Sequence, residues 1–69
     1  MAADWKIEWN CHVLMRGREV VAVISSSQRV DNAWAWFTVN GHHGITAQGA
    51  ILREAERQAE AALEATDAR

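Results

Sequence analysis

The first part of the chain alternates apolar and polar residues. Over residues 5–13 every odd position is apolar and every even position is polar. Because successive side chains of an extended chain point to opposite faces, this period of two predicts one half-buried β-strand. The residues expected on its buried face are Trp5, Ile7, Trp9, Cys11 and Val13.

A second strand is predicted over residues 19–25. This run is rich in valine and isoleucine, and β-branched side chains favour the extended conformation. Arg16 and Gly17 precede it, and glycine accepts the positive φ that tight turns require. The two runs are therefore predicted to form a hairpin.

A third strand is predicted over residues 33–39, and both of its faces are apolar. One face carries Trp34, Trp36 and Thr38, and the other carries Ala35, Phe37 and Val39. This pattern fits a central strand that is covered on both sides. It fits equally well a strand with one face exposed as an adhesive surface. A glycine-bearing turn follows at 40–44, and residues 45–47 form a possible short fourth strand.

The C-terminal part of the chain has helical periodicity, from about Ala50 to Thr66. One stripe repeats at three- and four-residue steps, and the remaining positions are mostly charged. The stripe consists of Leu52, Ala55, Ala59, Ala62, Leu63 and Thr66. Small alanines let a helix lie close to a sheet, and bulky tryptophans on that sheet would fill the remaining space.

These elements predict an α+β fold, a three-stranded antiparallel sheet with a possible short fourth strand, packed by one C-terminal helix. Residues 1–69 are expected to form a single domain, because a chain of this length contains one domain at most. Its core must be thin, since small chains bury a smaller fraction of their surface. Packing or association with another chain must supply stability, because Cys11 is the only cysteine.

The charge balance and the N-terminus narrow the function classes. The net charge of −2 argues against a general nucleic-acid binder. No apolar run approaches the roughly 18 residues needed to span a bilayer. The N-terminus lacks the charged and apolar regions of a secretion signal. We therefore expect a protein of the host-cell cytoplasm that contacts neither membrane nor nucleic acid directly.

Candidate catalytic and metal-binding groups are few. Cys11 and His12 are adjacent on one predicted strand, so their side chains point to opposite faces and cannot both bind one metal ion. His42 and His43 lie in a turn and lack the spaced pairs typical of structural zinc. Burial would leave the Cys11 thiol inert. We expect no catalytic residue, no metal and no cofactor, and hence no enzyme, with a small metal-stabilised module as an alternative.

Partner binding is the remaining possibility, and two groups of residues are candidates. Four tryptophans in 69 residues is a high content, and tryptophan is enriched at binding hot spots. Trp34 and Trp36 are the predicted anchors. Glutamates one helical turn apart form a second candidate surface, which could imitate a phosphate backbone or serve as a solvated helix face. They are Glu56, Glu60 and Glu64. A homodimer is a further possibility for a domain this small.

Residues 34–63 resemble small proteins encoded by phages and prophages. The similarity lies in the aromatic strand 34–39, the turn at Asn40–Gly41, Gly49, and the E-A-x-x-x-A pattern of Glu54, Ala55 and Ala59. Anti-CRISPR proteins are chains of this size and type. The resemblance implies a protein that binds a Cas protein or effector complex and blocks DNA binding or cleavage.

A second similarity is to the N-terminal part of HicB antitoxins, which carry the motif G-x-T-x-x-E-A before a helix. Gly49, Glu54 and Ala55 match this motif, whereas Ile51 stands where threonine is expected. This resemblance implies a regulatory module that caps a small toxin.

The leading hypothesis is therefore a phage-type inhibitor that acts by stoichiometric protein binding, with an anti-CRISPR protein that sterically blocks a Cas effector complex as its specific form. The alternatives are a HicB-like antitoxin and a small metal-stabilised module.

Overall fold

In the computed structural model, which describes residues 4–8 and 10–67, five antiparallel strands form one sheet and a single helix follows them. The elements are β1 (Asp4–Glu8), β2 (Cys11–Arg16), β3 (Glu19–Ser26), β4 (Trp34–Thr38), β5 (His43–Ile45) and α1 (Leu52–Asp67). The strands lie side by side in chain order, so each one pairs with its neighbour in sequence. The predicted α+β class is confirmed, and the predicted number of three or four strands is wrong.

The additional strand arises because the run over residues 5–13 is two strands. Glu8 pairs with Cys11, so only two residues connect β1 to β2. Asn10, one of these two, has a φ of 64°. Asparagine tolerates this left-handed region better than most residues, which permits a tight reversal within the alternating run.

This reversal changes which residues share a face. Trp5 pairs with Leu14 and Ile7 pairs with His12, whereas Cys11 pairs with Glu8. Paired residues on neighbouring strands point to the same side of a sheet, so the two-residue turn places even-numbered residues of β2 beside odd-numbered residues of β1. The prediction that Cys11 and Val13 share a face with Trp5 and Ile7 is therefore wrong. Trp9 lies outside the described residues.

The last strand, β5, begins and ends two residues earlier than the predicted segment 45–47. It pairs with β4, and its end is fixed by two hydrogen bonds at Thr46. The Thr46 amide donates to the Trp34 carbonyl at 2.9 Å, and the Trp34 amide donates to the Thr46 hydroxyl at 3.0 Å. These bonds hold the short edge strand in register before the chain leaves the sheet.

The helix covers one face of the sheet and lies mainly over β4, with β3 and β5 on either side. Of the predicted stripe, Leu52 and Ala62 are partly buried, and the Thr66 side chain lies outside the described part of the structure. Ala55, Ala59 and Leu63 are buried, as predicted. They pack against Leu14, Ala22, Ile24 and Trp36 from the sheet. Within residues 4–8 and 10–67, no helix is long and apolar enough to cross a membrane.

Trp36 is the largest side chain in this core and touches both layers. Its indole N–H donates to Oε1 of Gln58 on the helix at 2.8 Å. Its ring lies directly against Gly44, the residue opposite it on β5. A Cβ at position 44 would lie 2.7 Å from Cζ2 of Trp36, which is closer than carbon atoms pack. Gly44 is therefore required for space, and its φ is not in the left-handed region.

We expect Gly44→Ala to lower the free energy of unfolding by about 1–3 kcal/mol, because the added methyl group overpacks the core beside Trp36. Urea denaturation followed by circular dichroism measures this loss. The matched test is the same change in a Trp36→Phe background, where the smaller ring leaves room for the methyl. An equal penalty in both backgrounds would contradict the assignment of the clash to the indole.

Candidate binding surface

The face of the sheet opposite the helix has no covering layer among the described residues. Cross-strand pairing places Val13, Val23 and Phe37 in one row across its centre. Lys6 and His43 extend this row at the two outer strands. We call this side the open face. It comprises Asp4, Lys6, Glu8, Cys11, Val13, Met15, Val20, Val23, Ser25, Ala35, Phe37, Val39, His43 and Ile45.

Large apolar side chains on the open face are accessible to solvent. Phe37 is 53% exposed and Val39 is 72% exposed, and Val20 and Ile45 are also exposed. Contiguous exposed apolar residues are uncommon on the surface of a soluble monomer and mark interaction sites. The structure thus resolves the ambiguity in strand β4: one face is covered by the helix, and the other is exposed.

Three shallow grooves run across the open face. The first, of about 320 Å³, lies between Phe37, Ile45 and Arg29. The second, of about 230 Å³, lies between Val20, Phe37 and Val39. The third, of about 250 Å³, is lined by Lys6, Glu8, Val13, Met15 and Val20. Phe37 lines both the first and the second groove, and Val20 lines both the second and the third. The three grooves are therefore contiguous, and Phe37 forms the ridge between the first two.

The predicted anchors Trp34 and Trp36 lie on the covered face instead. Trp36 is only 9% exposed and belongs to the core. Trp34 is half-buried against that core, and its ring meets the His12 ring edge-to-face at a centroid distance of 6.0 Å. The accessible aromatic residue is Phe37, which sequence reasoning placed on the other face of the same strand but did not choose. Phe37 occupies an odd-numbered position between the even-numbered Trp34, Trp36 and Thr38, and this alternation already indicated that it faces away from the two tryptophans.

The three candidate glutamates do not form a uniform acidic surface. Glu56 is 15% exposed at its side chain and pairs with Arg53 at 3.1 Å. Oε2 of Glu60 accepts a hydrogen bond from the Trp5 indole at 2.8 Å and lies 3.6 Å from Arg53. Of the three, Glu64 is the exposed one. Two of the three carboxylates are thus engaged in contacts within the chain, which weakens any imitation of a phosphate backbone.

A hydrogen-bond chain links the helix surface to the core tryptophan. Gln58, which accepts from Trp36, donates from Nε2 to Glu54 at 3.0 Å. This hydrogen bond is the main reason that the pKa of Glu54 lies below its ordinary value, and the nearby Arg57 guanidinium lowers it further. Hydrogen bonding to Glu56 and the charge of Glu60 raise the pKa of Arg53. These interactions hold the helix side chains in place.

The possible metal ligands are dispersed. Cys11 lies half-buried on the open face, rather than fully buried as expected, and carries a free thiol. His12 points to the opposite face from Cys11, as expected, but that face is the one covered by the helix, whereas the alternation placed His12 on the polar face. Nowhere in the described part of the chain do three or more histidine, cysteine or acidic residues cluster as a metal site would require.

Comparison with known proteins gives no relative from which a function could be transferred. No family model, no curated protein and no solved structure matches the chain. The similarity to anti-CRISPR and HicB proteins therefore stays a prediction, and the functional argument rests on the surface itself.

We expect Glu60→Ala to lower the free energy of unfolding by about 1 kcal/mol, because it leaves the part-buried Trp5 indole N–H without its acceptor. Glu60→Gln keeps an acceptor oxygen and should cost less. Glu64→Ala, one turn further along the exposed helix surface, should change stability by less than about 0.5 kcal/mol. Urea denaturation monitored by tryptophan fluorescence compares the three, and equal effects at positions 60 and 64 would contradict the role of Glu60.

Proposed function

We propose that this chain is a protein-binding module that acts by stoichiometric contact through its open face. The observation that carries the proposal is the group of exposed apolar side chains and contiguous grooves around Phe37 on an uncovered sheet face. Burying an exposed apolar side chain contributes roughly 25 cal/mol per Å² of apolar area, so this face can stabilise a complex. A partially exposed phenylalanine between grooves is suited to act as its anchor.

The shape of the surface favours a polypeptide over a small molecule. Small-molecule sites are concave and enclose most of the ligand surface. The three grooves are shallow, open to solvent and spread over neighbouring strands. A broad, grooved surface of this kind matches a protein interface, which has an apolar centre and a polar rim. Glu8, Arg29 and Lys6 lie at the margin of the open face and supply such a rim.

The composition of the open face also favours protein over nucleic acid. Single-stranded nucleic acids are bound by aromatic platforms set in a positively charged groove. Among the described residues, the open face carries Phe37 as its one phenylalanine or tryptophan, and valines flank it in the central row. Its charged margin contains both signs, and the whole chain has a net charge of −2. These features support recognition of an apolar protein surface.

The specific form of this proposal is a phage-type inhibitor that covers a functional surface of a Cas effector complex. The sequence resemblance over residues 34–63 supports the target class, and the open face supports the steric mode of action. Phe37 and Val39, rather than Trp34 and Trp36, are then the principal contact residues, because they are the exposed side chains of that strand segment.

Titration of the purified chain into DNA-cleavage reactions of purified type I and type II effector complexes tests this proposal. We expect one complex to be inhibited at near-stoichiometric ratios. The Phe37→Ser, Val39→Ser double variant should weaken inhibition at least tenfold, a loss of about 1.4 kcal/mol or more in binding free energy. The matched control is Ile51→Ser, since Ile51 is 70% exposed but precedes the helix and lies outside the open face.

Equal inhibition by the double variant and the control would contradict the role of the open face. Absence of binding to every effector complex at micromolar concentration would contradict the Cas-directed form of the proposal. Circular dichroism of each variant verifies that a loss of inhibition does not come from unfolding.

A further inference from the structure

We infer that the open face pairs with the same face of a second copy of this chain, in a twofold symmetric dimer. This inference rests on the proposed function, because it takes the open face as the protein-contact surface and names a second copy as its occupant when no other protein is bound, so the second copy and an effector compete for one face. Isologous pairing is the commonest form of self-association, and it requires one patch that complements itself. The open face meets this requirement in shape and in charge.

The shape argument follows from the strand order. A twofold axis parallel to the strands and passing above β3 brings β4 of one copy over β2 of the other, and β1 over β5. Phe37 is the fourth of the five residues of β4, and Val13 occupies the same cross-strand row on β2. The Phe37 ridge of each copy therefore lies over the Val13 groove of the other.

That groove is suited to receive a phenyl ring. It has a volume of about 250 Å³, and its walls are formed by Val13, Met15 and Val20 with the side chain of Lys6. The aliphatic stem of a lysine packs against apolar surface while its charge stays in water. Because the contact occurs twice, one ridge and one groove on a single chain satisfy both halves of the interface.

The charges at the two margins complement each other under the same symmetry. Glu8 is exposed at the end of β1, and Arg29 is exposed in the loop between β3 and β4, where it lines the first groove together with Ile45 of β5. Both lie at the end of the sheet where β1 turns into β2 and β3 leads into β4. The twofold axis brings Glu8 of one copy near Arg29 of the other, so two opposite-charge pairs form at the rim.

The size of the molecule limits such an interface. The chain measures 32 by 27 by 17 Å, so the flat area of its largest side is at most of the order of the roughly 800 Å² per partner of a standard interface. Pairing also provides a second apolar layer for a domain whose small size limits its own core.

Sedimentation equilibrium and light scattering between about 1 and 100 μM test the inference over the range of micromolar dissociation constants. We expect a reversible monomer–dimer equilibrium that does not proceed to larger species, because a twofold interface closes at two copies. Phe37→Ser should raise the dissociation constant at least about tenfold. The control Ile51→Ser should leave it unchanged.

Charge exchange tests the orientation of the two copies. Glu8→Arg and Arg29→Glu should each weaken the dimer, since each places like charges together at the rim. The double variant that carries both changes should recover the original dissociation constant. Recovery requires that positions 8 and 29 meet across the interface. Non-specific association of an apolar face would not restore the dissociation constant in the double variant.

A monomer throughout the concentration range would overturn the inference, and so would open-ended association or a dimer insensitive to Phe37→Ser. Failure of the dimer and failure of the proposed function give different results. A monomer that inhibits an effector in a Phe37-dependent manner would remove the dimer and retain the binding module. A Phe37-dependent dimer that inhibits no effector would retain the dimer and remove the Cas-directed function.

Discussion

The contact between the Trp36 indole, the helix and Gly44 is the constraint on which the structure depends. The ring occupies the space above β5 that only a residue without a side chain leaves free. Small residues of the helix, Ala55 and Ala59, close over the same core without steric conflict. Large and small side chains thus alternate across the layers, which is how a thin core reaches a well-packed interior.

This packing has a direct consequence for the surface. Within residues 4–8 and 10–67 the sheet has one helix to cover it, and the burial of the alanine stripe holds that helix mainly over β4. Trp36 fixes which face is covered, through its buried ring and its hydrogen bond to Gln58. The alternate residues of β4 must therefore face away, and Phe37 is exposed because Trp36 is buried. The proposed contact surface is the reverse side of the core.

The polar contacts of the helix restrict the second candidate surface. Glu60 is engaged by Trp5 from the edge strand, and Glu56 and Glu54 are engaged by arginines on the helix itself. Such exposed ion pairs contribute little to stability, but they balance the charge of the helix surface. The helix therefore presents mixed charge to solvent, and the open face remains the more distinctive surface of the chain.

The sequence by itself determined the α+β class, the helical stripe and the alternation within β4, because each depends on side-chain periodicity along one element. It did not determine the split at Asn10, since an alternating pattern continues unchanged through a two-residue reversal while the pairing inverts the faces. Only the tertiary structure decided that Phe37, rather than Trp34 or Trp36, is exposed. Both faces of β4 are apolar, so the choice between them follows from where the single helix packs and not from the strand alone.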